Sequence, residues 1–259
     1  MYQVQIPYGS MDLTEGRFEA YNFIKSEANA DFLLSAKKAI SSDFTISGSV
    51  GGNIMNNKLE NQSTYVAKLV VPDVYSVSNA KEPPTTSFYR SEKEIQSLYA
   101  FFTAEYKSQL FLDVTGRNDW SSTLPKKNRS YFYPSATLSW VFTETLGLNK
   151  DIFSFGKLRF GLAQVGNDTD PYQLSLTYGS QLPFGSYPSF TLNSTLPPLD
   201  LKSELITSKE IGTELKFFSN RLGLDATLYS SSSKNQILRA NLSQASGFGS
   251  AFILSLIHI

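Results

Sequence analysis

A two-residue alternation of apolar and polar side chains constrains the fold of this chain more than any other feature. In residues 135–143, Leu138 and Trp140 lie on one side of an extended chain, whereas Thr137 and Ser139 lie on the other. The same period recurs in the segments 109–117, 158–163, 210–217 and 221–228. Because successive side chains of a β-strand point to opposite faces of its sheet, this period predicts an antiparallel β protein.

Turn residues and prolines divide the chain into segments of ordinary strand length. Ser219 and Asn220 separate two alternating segments and predict a tight hairpin. Several prolines make 72–91 and 181–200 long loops, because proline cannot donate to the hydrogen-bond ladder of a central strand. Residues 15–40 have partly helical spacing, but we interpret them mostly as strand and loop. Together these boundaries predict roughly eight to ten strands.

The composition excludes several classes of function. The 259 residues include 23 basic and 23 acidic side chains, no cysteine and one histidine, His258. A formal net charge of zero argues against a nucleic-acid partner, because nucleic-acid binding needs a basic surface. The absence of cysteine excludes disulfides, thiolate metal sites and cysteine nucleophiles. No apolar run approaches the ~18 residues that a membrane-spanning helix requires.

The alternation by itself leaves open whether the apolar face contacts a protein core or lipid. A soluble β-sandwich places such a face against a second sheet. An outer-membrane barrel places it against lipid, and its polar face then lines a lumen that tolerates charges in the middle of strands. Such charges occur at Asp113, Arg159, Glu214 and Asp225. Aromatic residues also cluster near the strand ends, as in Tyr131-Phe132-Tyr133, which fits either class.

Three collinear motifs carry a resemblance to a known family. They are LDVTGRNDWSSTLP at 112–125, YFYPSATLSWVF at 131–142 and GKLRFGLAQVGND at 156–168. A fourth segment, SKEIGTELKFFSNRLGLDATLYSSSSKNQIL at 208–238, follows in the same order. With these motifs the chain resembles the SusC/RagA family of TonB-linked outer-membrane proteins, and the resemblance covers most of residues 25–253.

The resemblance implies a fold, a location and a set of partners. The fold would be all-β: a curved antiparallel meander that forms part of a large transmembrane β-barrel closed around an N-terminal plug. The protein would import oligosaccharides or peptides across the bacterial outer membrane with a SusD-like lipoprotein. Energy would come from the TonB complex through an N-terminal part that is absent here. Outer-membrane lipid would surround the barrel, and the resemblance implies no enzyme activity and no cofactor.

Two features of the termini suggest a fragment. No signal peptide or plug is recognisable at the N-terminus, so we expect 1–253 to be a partial barrel domain. The last six residues, LSLIHI at 254–259, resemble a read-through translation of a sequencing adapter. We therefore expect 254–259 to be a non-native tail, His258 included; the alternative is a genuine hydrophobic strand end.

The candidate site residues fall into two sets. Lumen-facing substrate contacts are assigned by strand parity, with ordinary hydration and cross-strand charge pairing as the competing interpretation; they are Asp113, Arg117, Arg159, Glu210 and Glu214. The residues of the family motifs are expected to shape the barrel; they are Arg117, Asn118, Asp119, Trp120, Tyr133, Pro134, Gly166, Asn167, Asp168, Glu210 and Gly212. Ligand contacts are expected mainly in the plug and in the loops, here 72–91 and 181–200.

The sequence gives little support for a catalytic site or a metal site. The pairs Asp113/Asp119 and Asp168/Asp170 are better explained as solvated acids of a strand and a turn, so we do not assign glycoside hydrolysis to them. The segment 167–170 lacks the spacing and the terminal glutamate of a calcium-binding loop. Two alternatives to an active transporter stay open, namely a passive porin-like barrel and a soluble carbohydrate-binding β-sandwich.

Overall fold

The computed structural model describes residues 2–8, 15–198 and 200–258, which are almost entirely β-structure. Eleven of the described strands form one sheet, and two form a separate hairpin. A short helix, α1, spans Phe142–Thr145. The strands are β1 (Tyr2–Tyr8), β2 (Glu15–Ala39), β3 (Phe44–Val66), β4 (Thr85–Tyr106), β5 (Leu110–Ser121), β6 (Ser130–Trp140), β7 (Phe153–Asn167), β8 (Tyr178–Phe184), β9 (Tyr187–Leu192), β10 (Thr195–Leu196), β11 (Glu204–Phe217), β12 (Leu222–Asn241) and β13 (Ser250–His258).

The large sheet is an antiparallel meander. Its strand order is β1-β2-β3-β4-β5-β6-β7-β11-β12-β13-β10, so nearly every strand pairs with its neighbour in sequence. Among the described strands β10 departs from the pattern, since it pairs in parallel with β13 through Thr195 and Leu196. The hairpin of β8 and β9 lies within the connection between β7 and β11 and forms its own two-stranded sheet. The predicted all-β antiparallel meander is therefore confirmed.

The chain forms two compact units, each with its own internal contacts. The first unit comprises the described residues of 1–29 and 55–93, and the second comprises those of 30–54 and 94–259. The first unit has a small apolar core of Phe18, Val66 and Leu69. At its surface Glu15 forms ion pairs with Lys68 and Lys81.

The second unit buries polar residues and exposes apolar ones. Its buried side chains include Ser97, Asp119, Ser121 and Thr123. By contrast, large apolar side chains of its strands are exposed; their exposed fractions are 37% at Leu112, 42% at Phe160 and 75% at Leu228. In the described residues, no second layer covers this apolar face, which argues against the β-sandwich interpretation.

The strand registers place the apolar side chains of the second unit on one face. Leu112 of β5 lies opposite Ala104 of β4 and Leu138 of β6, and Leu138 lies opposite Phe160 of β7. The intervening positions, such as Asp113 beside Thr137, form the other face. We call these the apolar face and the polar face of the second unit, as the alternation in the sequence predicted.

Several local predictions can be compared with the structure. Residues 15–39 form one continuous strand, so the strand interpretation is confirmed and the helical spacing was misleading. The turn at Ser219 and Asn220 is confirmed, with both residues at positive φ. The loop predicted at 72–91 was placed too far along the chain, because β4 begins at Thr85, directly after Pro84. The large sheet also has more strands than predicted, since polar segments without alternation became strands too.

The region 181–200 is less irregular than its prolines indicated. It contains the end of β8, all of β9 and the short β10. Pro183 and Pro188 lie in the two-stranded hairpin, outside the large sheet, where a missing donor costs little. Residues up to His258 continue β13, and the assignment of 254–259 as a non-native tail stays a prediction. None of the helices in the described residues could span a membrane.

Candidate binding surface on the polar face of the sheet

A buried carboxylate organises the polar face where β5 and β6 meet. Asp119 is only 5% exposed. Its Oδ1 accepts a hydrogen bond from Arg117 Nε at 2.8 Å, and its Oδ2 accepts one from the Tyr133 hydroxyl at 2.5 Å. Arg117 Nη2 also donates to Ser97 Oγ at 2.9 Å, which ties β4 to the same group. Both oxygens of the buried carboxylate are thus satisfied, as burial of a charge requires.

A second carboxylate, Asp168, continues this arrangement beyond the end of β7. Its Oδ2 accepts hydrogen bonds from the hydroxyls of Ser121 and Thr123, the latter at 3.1 Å. The two hydroxyls lie 2.9 Å from each other, and both residues are buried. Asp168 therefore links the end of β7 to the end of β5.

Gly166 makes room for the aromatic part of the site. The rings of Tyr131 and Tyr133 stack with their centroids 6.0 Å apart. A Cβ atom at residue 166 would lie 2.5 Å from Tyr131 Cδ2 and 3.1 Å from Tyr133 Cδ1, so the first ring would have to shift. The glycine of the third motif thus allows the tyrosine pair of the second motif to pack onto β7.

These side chains form one connected group, which we call the β5–β7 cluster; its members are Ser97, Arg117, Asp119, Ser121, Thr123, Tyr131, Tyr133, Gly166 and Asp168. The cluster explains why three separate motifs occur together in the sequence. Arg117, Asp119 and Ser121 are spaced by two along β5, so the strand presents them on one side, and Thr123 follows in the turn directly after the strand.

The sequence interpretation identified part of the cluster. It assigned Arg117, Asp119, Tyr133, Gly166 and Asp168 to a structural role without predicting that they meet. It missed four members, namely Ser97, Ser121, Thr123 and Tyr131. The spacing by two along β5 could have identified the serine and the threonine at its end.

A second set of charges lies on the polar face of β7, β11 and β12. Glu214 is 3.0 Å from Lys157 Nζ and 3.3 Å from Lys216 Nζ. Arg159 Nη2 lies 3.0 Å from Asp225 and donates to Thr227 Oγ1 at 3.1 Å. Most of these contacts join neighbouring strands, and such cross-strand charge pairs are common in antiparallel sheets.

Gly212 gives the Arg159 side chain its space. A Cβ atom at 212 would lie 3.0 Å from Arg159 Nη2 and 3.1 Å from Thr227 Oγ1. The arginine therefore crosses over β11 to reach β12. This contact accounts for one glycine of the fourth motif.

The other sequence-predicted residues are dispersed. Asp113 is exposed and accepts a hydrogen bond from Thr103 Oγ1 at 2.7 Å. Glu210 is exposed beside Gly161 and Tyr229. Asn118 and Trp120 lie on the apolar side of β5; Asn118 Nδ2 donates to Ser130 Oγ at 3.0 Å. Pro134 pairs with Gly116, and Asn167 pairs with Glu204.

A cavity of about 620 Å³ opens on the polar face beside the β5–β7 cluster. Of the predicted contact residues, Arg117 lines it, and Asp113, Arg159, Glu210 and Glu214 do not. Further polar lining groups are an acid, two amides, two tyrosines and two hydroxyls; they are Asp31, Asn53, Gln164, Tyr99, Tyr133, Thr115 and Ser135. This mixture can donate and accept hydrogen bonds and offers ring faces for stacking. Within the described residues, no group of three metal-ligating side chains was found.

A loop contact fixes the connection between β5 and β6. Asp200 Oδ1 lies 3.0 Å from Lys127 Nζ and accepts a hydrogen bond from Asn128 Nδ2 at 2.6 Å. Asn128 Nδ2 also donates to the backbone oxygen of Leu201 at 2.8 Å, and the Leu201 side chain is fully buried. The hydrogen bond from Lys127, with a second from Asn128, holds the pKa of the Asp200 carboxyl below its usual range.

We expect this loop contact to weaken in acid. A lowered pKa in the folded state means that the contact is fully present above the unfolded pKa of about 3.9 and is lost as the pH falls through the folded value. Hydrogen exchange of the 126–129 amides, corrected for intrinsic rates, should be slower in the wild type than in Asp200→Asn at neutral pH. The two proteins should converge as the pH falls through the lowered folded pKa of Asp200. Equal protection at neutral pH would contradict the contact.

Comparisons with known proteins place the fold and the motifs in one family. A family model described as TonB dependent receptor-like, beta-barrel matches residues 7–254. The TonB-dependent receptor P3 of Formosa agariphila is 26% identical over 212 residues, which are 77% of this chain and 21% of that protein. The chain thus spans about a fifth of the length of this curated relative.

Solved structures share the fold at low sequence identity. A chain in the structure of the RagAB peptide transporter has a TM-score of 0.85 and 15% identity, over 96% of this chain and 28% of that one. The RagAB peptide importer in its open-open state has a TM-score of 0.78 and 16% identity, over 97% and 28% of the two chains.

The exposed apolar face now has a physical explanation, because lipid covers the outer face of such a barrel. The family consists of transporters of the outer membrane and not of enzymes. The resemblance carried by the four motifs is confirmed at this level. This chain belongs to the TonB-dependent receptor-like β-barrel family and forms part of an integral barrel of the bacterial outer membrane.

Proposed function

We propose that the chain is part of the wall of an active transporter that imports oligosaccharides or peptides through the outer membrane. In this proposal a SusD-like lipoprotein assists uptake and TonB supplies the energy. The family match over residues 7–254 carries the proposal. The likeness to RagAB, a peptide transporter by its description, supports a substrate of this size class.

Connection lengths indicate which end of the second unit faces outward. At one end the strands are joined by the short turns 40–43, 107–109 and 218–221 and by the segment 141–152, which contains α1. At the other end the connections are 122–129, 168–203 and 242–249. Outer-membrane barrels have short periplasmic turns and longer extracellular loops. The end that carries the β5–β7 cluster is therefore the extracellular one.

The polar-face cavity is the candidate substrate contact in this part of the wall. Arg117 is held by Asp119 and Ser97, so its position is set before a ligand arrives. Asn53 and Gln164 offer amide groups, which can bind either a peptide backbone or sugar hydroxyls. Four further residues remain proposed substrate contacts in the lumen, although they do not line this cavity; they are Asp113, Arg159, Glu210 and Glu214.

The β8–β9 hairpin is a candidate contact for the lipoprotein or for the substrate. Its aromatic side chains are open, with exposed fractions of 71% at Tyr178, 86% at Phe184, 74% at Tyr187 and 63% at Phe190. Aromatic residues are enriched among the side chains that dominate the binding energy once an interface buries them. The hairpin also lies in the longest extracellular connection of the second unit.

Uptake in cells tests the transport proposal. In a strain with the gene deleted, we expect import of either a labelled peptide pool or a labelled oligosaccharide pool to be lost and to return with the full-length gene. A protonophore should abolish the restored import, since TonB draws on the inner-membrane gradient. Uptake that persists after the gradient collapses would identify a passive porin-like barrel. Loss of neither pool would contradict the proposal.

Substitutions in the β8–β9 hairpin test whether it contacts the lipoprotein or the substrate. The double variant Phe184→Ser/Tyr187→Ser should bind the purified lipoprotein or the imported pool at least about tenfold more weakly. Leu146→Ser is the matched control, since Leu146 is 59% exposed but lies on the short-turn side. Equal losses in both variants would show a general effect on the barrel and contradict a role for the hairpin.

A further inference from the structure

The long connection between β7 and β11 contacts the large sheet again at the end of β13. Residues 168–203 include the β8–β9 hairpin, which forms a sheet of its own. After the hairpin, β10 pairs in parallel with β13, and Thr195 lies opposite Ser250. β10 therefore occupies the edge of β13 that faces away from β12.

The side chain of Arg239 in β12 joins β10 to β13. Its Nε donates to Ser250 Oγ at 2.8 Å, and its Nη2 donates to Thr195 Oγ1 at 3.0 Å. The two hydroxyl oxygens lie 3.1 Å apart. Ser250 is only 2% exposed, so one of the two acceptors is buried. The planar guanidinium of arginine suits two acceptors that lie side by side.

Backbone hydrogen bonds add to this contact. The backbone oxygen of Ser194 accepts hydrogen bonds from the amide of Gly249 at 2.9 Å and from the amide of Ser250 at 3.2 Å. The residue directly before β10 is thus bonded to the start of β13. We call the contact of Ser194, Thr195, Arg239, Gly249 and Ser250 the β10 anchor.

The same segment closes the base of the β8–β9 hairpin. Asn193 Oδ1 accepts a hydrogen bond from the Thr195 amide at 3.0 Å. The Asn193 amide donates to the backbone oxygen of Thr177 at 3.0 Å, directly before β8 begins. One side of the hairpin base is therefore connected to the β10 anchor through a single residue.

The hairpin depends on such contacts at its base. Its own aromatic side chains are largely exposed, as at Phe184 and Tyr187, and its strands pair only with each other among the described strands. Before the hairpin, the connection is held by Asp168, which accepts hydrogen bonds from the hydroxyls of Ser121 and Thr123. After the hairpin, the β10 anchor takes this role. β10 has only two residues, so its ladder with β13 is short and the bonds from the charged Arg239 carry much of the contact.

We propose that Arg239 is a positioning residue that fixes β10 on β13 and thereby holds the β8–β9 hairpin in place. The anchor itself rests on contacts within the second unit. Its benefit for binding rests on the proposed function of the hairpin, because a hairpin that is already fixed loses less conformational freedom when a partner binds.

Hydrogen exchange of the full-length protein in detergent micelles tests the anchor without any ligand. In Arg239→Gln we expect the Gly249 and Ser250 amides to exchange at least about tenfold faster, because their acceptor moves away with β10. Arg239→Lys keeps the charge but not the planar fork, so its rate should be intermediate. Arg221→Gln is the matched control, since Arg221 is also exposed but lies just before β12, at the short-turn end. Unchanged exchange in Arg239→Gln, or equal acceleration in Arg221→Gln, would overturn the proposal.

A disulfide tests the pairing of β10 with β13 in the full-length protein. With any other cysteine replaced, Leu196→Cys/Ala251→Cys should form an intramolecular disulfide on mild oxidation, because these two residues are paired. Leu196→Cys/Ile253→Cys is the control and should remain mostly reduced, since Ile253 lies two residues farther along β13. Absence of the first disulfide, or equal yields of both, would show that β10 does not hold this edge and overturn the proposal.

Spin labels test whether the anchor sets the position of the hairpin. Labels at 187 in the hairpin and at 126 in the β5–β6 connection should give a single narrow distance in the wild type and a broad distribution in Arg239→Gln. Arg221→Gln should give the narrow distance. A narrow distribution in Arg239→Gln would overturn the positioning role. None of these measurements needs a substrate or a lipoprotein, so failure of this proposal and failure of the proposed function are distinguishable.

Discussion

Asp119→Ala is expected to lower the free energy of unfolding of the full-length protein by about 2–3 kcal/mol. The substitution removes the acceptor for both Arg117 and Tyr133. The arginine then has a partly buried guanidinium without its carboxylate, and the tyrosine hydroxyl loses its acceptor. We place the effect below that of a fully buried ion pair because the Arg117 side chain is 40% exposed.

The shift in urea midpoint, measured in detergent micelles, checks this value. Asp119→Asn keeps an acceptor oxygen and should lose about half as much, so the series remains informative if the alanine variant folds poorly. Asp113→Ala is the matched control: Asp113 lies on the same strand and face, but it is exposed and accepts one hydrogen bond from Thr103. Equal losses at 113 and 119 would contradict the role of the β5–β7 cluster.

Gly166→Ala is expected to destabilise the protein by about 1–3 kcal/mol, although it adds a single methyl group. That methyl would lie 2.5 Å and 2.7 Å from two carbons of the Tyr131 ring. The ring is stacked against Tyr133, which is itself hydrogen-bonded to Asp119, so it has little freedom to move away. The strain therefore spreads to the buried carboxylate.

Gly161→Ala provides the matched control on the same strand. A Cβ atom there would lie 3.6 Å from Glu210 Cβ, which is ordinary van der Waals contact. We expect it to unfold at a urea concentration close to that of the wild type. Adding Tyr131→Ala to Gly166→Ala should remove the strain, so the two substitutions should be less than additive. Additive losses would show that the glycine acts in some other way.

The strand period and the topology were predictable because one face of the sheet is apolar. In β5, β6, β7 and β11 the alternation in sequence matches the alternation across the sheet. In β2 the prediction was weaker because Glu27, Asn29 and Asp31 make one side polar, while the other side carries the small residues Ala28 and Ala30 and so gives little apolar contrast. There the backbone ladder with neighbouring strands, which leaves little trace in the side-chain pattern, sets the structure.

The candidate site was only partly predictable. The motifs identified residues that shape the barrel, and the structure brings five of them together, namely Arg117, Asp119, Tyr133, Gly166 and Asp168. Gly166 of β7 lies against the ring of Tyr131 of β6. This contact joins two strands, so the residue spacing within either strand could not predict it. The lumen-contact assignments at Asp113, Arg159, Glu210 and Glu214 rested on parity alone and stay predictions.

Lipid covers the apolar face of this barrel wall, and water reaches its polar face. The most direct test is to place single cysteines along β5 of the full-length protein in membranes, with any cysteine outside this chain replaced, since these 259 residues contain none. A charged, water-soluble maleimide should label positions 113 and 115, whereas a fluorophore at 112 or 114 should be quenched by a lipid-confined quencher. Water-accessible labelling at all four positions, or protection of 112 and 114 from both reagents, would contradict a lipid-facing apolar side.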